Sequence, residues 1–376
     1  MKILTNGKII SGGKILDGYD IIIENKKIVD VKLSASVSGE KIDLGGNYIA
    51  PGFIELHCHG GGGYEFIDAT PESFKKVCEI HAAHGTRVIY PTISATDYDT
   101  MVRVLQTVRE VKDSCDLEIP GIHLEGPYFA LEMCGGQAPG VVRDIDRDEY
   151  TRLLEEYSDV IARWDYAPEM DKDNAFLKDV TSKGILAATA HSSAKFDDVL
   201  RAFEGGNHLI THLYSCTSTI TRHQGFRHLG IIESAYLLDD LYVEAIADGC
   251  HLPSDLLRLI IKQKGADRIC LITDAIRPAG IGEDGKEYTD CPVPFVVEDG
   301  VAKLLDRSAF AGSIATSDIL LKNAVKTGCS IVDAVKMMTE TPAKVMNLET
   351  KGKIAAGYDA QFTVFDKNLD IVDISI

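Results

Sequence analysis

The alternation of hydrophobic and polar positions changes rhythm twice along the chain. Near the start, KILTNGKII and DIIIENKKIVDVKL are apolar runs, the second broken by the polar turn Glu24-Asn25-Lys26-Lys27. Such runs predict short strands. At the far end Lys353-Ile354, AQFTVF (360–365) and IVDISI (371–376) repeat the pattern after a Gly357 turn. The two β-rich ends, 1–50 and 351–376, therefore predict one small β-sandwich domain assembled from both termini. Between them, residues 51–350 alternate differently. Eight apolar runs read as strands: FIELHCH (53–59), TRVIYPT (86–92), PGIHLEG (120–126), VIARWDYAP (160–168), ILAATAH (185–191), HLITHLY (208–214), LYVEAIADG (241–249) and RICLITDA (268–275). Amphipathic stretches such as Pro71–Gly85, Asp97–Ser114 and Pro253–Lys264 separate most of them, and two more helices are expected near 316–327 and 331–346. Eight strands with intervening helices is the count of a closed, TIM-type (α/β)₈ barrel, here a distorted one with long loops after strands six and eight. An open doubly wound sheet also accommodates eight strands.

Composition narrows the function classes. A formal net charge of -18 over 376 residues leaves no electrostatic footprint for nucleic acid or an anionic membrane surface. The nine cysteines are scattered, odd in number and without a CxxC pair, as expected of reduced thiols in a cytoplasmic protein. The first residues carry no signal-peptide pattern, and no apolar stretch reaches the ~20 residues of a membrane span.

The chemistry sits at the C-terminal ends of the predicted strands. His57 and His59 end strand one, Glu125 strand three, His191 strand five, His212 strand six and Asp274 strand eight. In a parallel barrel these ends share one rim, where catalytic groups gather. Residues i and i+2 on a strand face the same way, so His57 and His59 can reach one metal ion. An isolated HxH is more often a surface or core pair. The four glycines after it (60–63) weaken that reading by leaving room for close approach. Glu125 ends an apolar strand and needs a partner, either a metal or a buried arginine. His191 and His212 taken singly are ordinary core or cap histidines; at successive strand ends they read together as ligands. Four histidines and one carboxylate suit zinc, or ferrous iron, better than magnesium or calcium. Asp274 is either a helix N-cap or a general base that moves a proton from metal-bound water to a leaving nitrogen. His251, just past strand seven, is placed to polarise a carbonyl or bind substrate. His123 and His208 lie earlier on their strands and read as packing or supporting residues.

These residues sit in motifs that resemble the N-acetylglucosamine-6-phosphate deacetylases of the amidohydrolase superfamily. The resemblance runs in order through PGFIELHCHG (51–60), HLEGP (123–127), AHSSA (190–194), THLY (211–214), IADGCH (246–251), TDAIRPAG (273–280), AGSIATSD (311–318), ETPAKVMNL (340–348) and GKIAAGYDAQFTVFD (352–366). It implies hydrolysis of an N-acetyl amino-sugar phosphate to the free amine and acetate, in amino-sugar catabolism. Glu125, His191 and His212 would hold the main divalent metal, and His57 and His59 a second one bridged by Glu125. Asp274 would be the catalytic acid and base, and His251 would polarise the acetyl carbonyl or hold a sugar hydroxyl. Gly136, Gln137, Ser215, Cys216, Phe310, Ala311 and Gly312 would line the sugar site. In one place the chain departs from the family. Where the family has Asn-Ala-Met after strand six, this sequence has Ser215-Cys216-Thr217, followed by a longer basic loop. In the family an arginine of this loop reaches the phosphate held by the neighbouring subunit of a homodimer. Arg222 and Arg227 are both candidates, against the alternative of a solvated basic loop.

Two rivals remain at this stage. One is a deacetylase of another amino-sugar phosphate, such as the galactosamine isomer, or an N-acyl-amino acid hydrolase. The other is a barrel retained as a binding or scaffold protein, which loss of Asp274 or of a ligand would have signalled; all are present.

Overall fold

The computed structural model describes residues 1–34, 38–282 and 284–374. All eight predicted barrel strands form: β1 (Phe53–Cys58), β2 (Thr86–Ile93), β3 (Ile122–Glu125), β4 (Ile161–Tyr166), β5 (Leu186–Thr189), β6 (Leu209–Ile210), β7 (Tyr242–Ile246) and β8 (Ile269–Ile272). They pair in sequence order, every neighbour parallel. A parallel bridge between Cys58 and Ala275 brings the end of β8 back against β1. His59 N donates to Ala275 O at 2.8 Å and Asp274 N to His57 O at 3.0 Å. This is a near-closed barrel rather than an open sheet.

Helices follow the strands on the outside: α1 (Pro71–Ala83), α2 (Tyr98–Val111), α3 (Arg147–Tyr157), α4 (Ala175–Ser182), α5 (Phe196–Glu204), α6 (Ile231–Leu237) and α7 (Ser254–Lys264). Thr70 and Asp97 cap α1 and α2 by accepting the N–H of Ser73 and Thr100, the role short polar side chains play at helix starts. Three more helices complete the ring: α8 (Ser317–Lys326), α9 (Ile331–Met338) and α10 (Glu340–Val345). The sequence pattern suggested a single helix over 331–346. It divides at Thr339 because Pro342 has no N–H to give to Met338.

The termini form two four-stranded sheets. One has the order 27–33, 19–24, 2–5, 40–43, and the other 362–365, 48–51, 8–11, 14–16. The turn predicted at Glu24–Lys27 is a tight hairpin with Asn25 and Lys26 at φ 52° and 60°. Leu4, Ile21, Ile23 and Ile28 of the first sheet pack with Ile9, Ile49, Phe362 and Val364 of the second. Two expected strands do not form among the described residues. Lys353-Ile354 is irregular, with Ile354 buried and its N–H given to Ser11 Oγ. From IVDISI only a bridge between Ile371 and Phe365 appears, and residues 375–376 of that run lie outside the described residues.

The two long loops carry structure that periodicity alone did not predict. After β6, strands 221–223 and 226–228 form a hairpin. After β8, strands 287–288, 295–298, 301–304 and 310–313 build a small antiparallel sheet whose last strand returns to the barrel through a Ser313–Ala275 bridge.

Candidate active site

The barrel interior is polar, which the alternation within the strands explains. Glu55 and His57 on β1, His123 and Glu125 on β3, Arg163 and Asp165 on β4, and Glu244 on β7 occupy one face of their strands and are all buried. They meet across the barrel. Arg163 pairs with Asp165 at 2.9 Å and with Glu244. Asp165 also faces His123 Nε2 at 3.0 Å and accepts from Thr211 at 2.7 Å. Glu244 Oε2 lies 3.5 Å from His57 Nδ1. Burial alone would raise the Glu244 carboxyl, but Arg163 and His57 outweigh it and hold the group near about 2. Glu55 has no such cation, and burial pushes it up to about 8 although it accepts the N–H groups of His57 and Thr273. Arg163, the buried arginine of this layer, is thus engaged by Asp165 and Glu244 and is not the partner of Glu125.

Above this layer the predicted residues converge. His191 Nε2 and His212 Nε2 each lie 3.0 Å from Glu125 Oε1, and His57 Nε2 lies 3.6 Å from it. His59 Nε2 is 3.4 Å from Glu125 Oε2 and 3.2 Å from Asp274 Oδ1, and His57 Nε2 is 3.4 Å from the same Asp274 oxygen. Two groups, His57–Glu125–His212 and His57–His59–Asp274, each bring three ligand atoms close enough for one ion. Atoms bound ~2.1 Å from a tetrahedral ion lie ~3.4 Å apart, so these separations fit a metal's donor set. The other nitrogen of each ring is occupied. Nδ1 of His59 meets Ser94 Oγ at 3.1 Å, that of His191 meets Met133 O at 2.8 Å, and that of His212 meets Ser215 O at 3.1 Å. Such outer bonds leave Nε2 turned inward.

The backbone helps to aim these groups. His191, His212 and Asp274 follow their strands with φ 43°, 28° and 50°, in the left-handed region. Histidine and aspartate tolerate that region better than most side chains, yet each costs on the order of 1–3 kcal/mol. Three such residues on one rim mark it as a site. Burial disfavours charge on all of them, but the neighbours win. Asp274 is drawn to about 2 by His57 and His59, Glu125 is held well below the usual carboxylate range, and His59 is raised by Asp274 and Glu125.

The cluster opens into a cavity of about 220 Å³. Of the predicted sugar-site residues, Gly136, Gln137, Ser215, Cys216, His251, Phe310, Ala311 and Gly312 all line it, together with Ser94, Gly135 and Ile276, which the sequence reading did not single out. Gly135 is required there, since a Cβ would fall 2.3 Å from Cys216 Sγ. Arg222 and Arg227 are not in the lining. They are exposed cross-strand partners on the hairpin after β6. His123 supports the cluster as expected, its ring centroid 4.7 Å from that of His57. His208 does not: it is exposed at the start of β6, edge-on to Phe203, because that strand begins only at Leu209.

Comparison with known proteins places the chain among hydrolases. The sequence profile of the amidohydrolase family, whose superfamily is metal-dependent, matches residues 48–375. The chain is 27% identical over 356 residues to the N-acetylglucosamine-6-phosphate deacetylase of Lysinibacillus sphaericus, covering 93% of this chain and 90% of the relative. It is 26% identical over 381 residues to the N-acetylgalactosamine-6-phosphate deacetylase of Shewanella sp. (strain ANA-3), covering 100% and 93%. Among solved structures, a variant of the N-acetyl-D-glucosamine-6-phosphate deacetylase of Mycobacterium smegmatis, in complex with N-acetyl-D-glucosamine-6-phosphate, superposes with a TM-score of 0.90 at 28% identity, over 98% of this chain and 96% of that one.

Proposed function

The chain belongs to the amidohydrolase family, and on that footing we propose that it hydrolyses N-acetylglucosamine 6-phosphate to glucosamine 6-phosphate and acetate. The observation that carries this reading is the convergence of four histidine Nε2 atoms on the Glu125 carboxylate, two of them also meeting Asp274 Oδ1, beside a cavity lined by residues of the deacetylase motifs. Glu125, His191 and His212 would hold one divalent metal, and His57 and His59 with Glu125 would offer donors for a second; zinc suits nitrogen-rich sites of this kind, with ferrous iron as the alternative. A divalent metal held there would supply an activated water near neutral pH and a positive charge to polarise the amide. Asp274, ionised and beside His57 and His59, accepts the proton of the attacking water and returns it to the departing nitrogen. His251, in the same cavity lining, meets the acetyl carbonyl or a sugar hydroxyl, and Ser215, Cys216, Phe310, Ala311 and Gly312 enclose the sugar.

Among the described residues the lining contains no lysine or arginine, so a phosphate needs a cation from elsewhere. Arg222 and Arg227 stand directly opposite each other on the exposed hairpin, a like-charge pair that an anion would stabilise. Phe226 beside them is 73% exposed. These features support a homodimer in which the hairpin of one subunit reaches the phosphate in the other. The two terminal sheets, packed on each other through an apolar cluster of their own, support two domains, residues 1–50 with 351–376 and residues 51–350. All nine cysteines are free, in keeping with a cytoplasmic enzyme.

The test is amine release from N-acetylglucosamine 6-phosphate beside its galactosamine epimer and unphosphorylated N-acetylglucosamine. Highest kcat/KM on the first is expected. Preference for the epimer would shift the substrate, and no activity on any would refute the reading.

A further inference from the structure

Strand β7 gives the histidine cluster no ligand, yet the turn after it carries His251 and is built around one carboxylate. Asp248 Oδ1 accepts the backbone N–H of Cys250 at 2.9 Å and of His251 at 2.8 Å. Its second oxygen, Oδ2, faces His251 Nδ1 at 2.7 Å. Gly249 between them has φ 84°, and a Cβ there would come within 3.1 Å of the Asn323 amide. Asn323 in turn donates to Ala247 O at 2.9 Å. The Asp248 side chain is only 1% exposed. Phe310 meets the His251 ring edge-on, with centroids 4.9 Å apart. The imidazole is therefore held at Nδ1 by a buried acceptor and packed against the Phe310 ring.

A carboxylate can only accept, so the hydrogen between the two groups belongs to Nδ1. Nε2 is then the ring nitrogen left for a molecule in the cavity. We propose that Asp248 is a positioning residue, which fixes both the tautomer and the plane of His251 so that Nε2 alone meets the substrate. An aspartate that only capped the turn would use Oδ1 and leave Oδ2 to solvent; here both oxygens are spent, the second on the ring.

Asp248→Asn separates the two roles. The amide keeps an oxygen for the two backbone N–H groups, so the turn is retained, but it presents a donor where Nδ1 needs an acceptor. In protein labelled with ¹⁵N-histidine, the imidazole signals that vanish in His251→Asn belong to His251. They are expected to show a protonated Nδ1 in the native protein, and to move that hydrogen off Nδ1 in Asp248→Asn. An unprotonated Nδ1 in the native protein, or spectra unchanged by the substitution, would overturn the proposal. A kinetic arm rests on the deacetylase reading. Asp248→Asn should lower kcat/KM by ~10- to 100-fold, and the double variant with His251→Asn should be no slower than His251→Asn alone. Losses that multiply would show that Asp248 acts on the fold and not through His251. Absence of activity in the native protein would count against the deacetylase reading alone, and the imidazole spectra would then decide.

Discussion

Gln137 donates to Glu125 Oε2 across 2.6 Å, while its own side-chain oxygen accepts the N–H of Ala95 at 2.8 Å. The motif resemblance had placed this glutamine at the sugar. It does line the cavity, but its hydrogen bonds tie the loop after β3 to the central carboxylate. Gln137→Leu should weaken metal retention by ~10- to 100-fold, the usual share of a residue supporting a ligand, with the fold kept. Competition with a chelator measures this, and unchanged retention would make the contact incidental.

Asp274→Asn keeps the shape of the side chain and removes the proton carrier. The native carboxyl, drawn to about 2 by His57 and His59 against the pull of burial, is in the base form at neutral pH. A loss of kcat of ~10² to 10⁴ is expected, with metal content unchanged. A variant that lost its metal would make Asp274 chiefly a ligand.

Replacing the hairpin arginine that meets phosphate by alanine should raise KM for the phosphorylated substrate and hardly alter turnover of the unphosphorylated sugar. Arg222→Ala and Arg227→Ala, assayed on both, decide which residue acts, since a planar guanidinium suits phosphate oxygens. Equal effects on both substrates would make the hairpin structural.

Asp318, at the start of α8, accepts from Thr316 Oγ1 at 2.6 Å and lies 2.9 Å from His84 Nδ1. Burial raises its carboxyl, but His84, Thr316 and Lys322 overcome this and lower it to about 2 from an ordinary 3.8. A depressed carboxyl adds stability above its unfolded value and loses it as pH falls through the folded one. Asp318→Asn should therefore cost about 2 kcal/mol from pH 7 to 5, with the gap to the native protein closing below about pH 4. Denaturant unfolding across that range checks it; a gap independent of pH would contradict the assignment.

The barrel was legible because eight apolar runs recur with amphipathic stretches between most of them, and several of the runs end on a histidine or a carboxylate. His57, His59, Glu125, His191, His212 and Asp274 were legible for the same reason: strand ends in a parallel barrel share a rim. The layer below was not singled out. Glu55, Arg163, Asp165 and Glu244 sit inside strands read only for their apolar positions, although the i, i+2 spacing of Glu55 with His57 and of Arg163 with Asp165 was visible in FIELH and ARWDY. Asp248 was hidden differently, since its partner lies three residues away across a turn whose geometry depends on Gly249. The small sheet between 287 and 313 was missed because its strands are two to four residues long, too short for a period to register.

The most direct measurement combines metal content with turnover on N-acetylglucosamine 6-phosphate, before chelation, after it, and after return of zinc or ferrous iron. The predicted result is one or two metal ions per chain, loss of acetate release on their removal, and recovery in proportion to metal restored. Full activity in protein freed of metal, or metal bound at these histidines without any release of acetate, would contradict it.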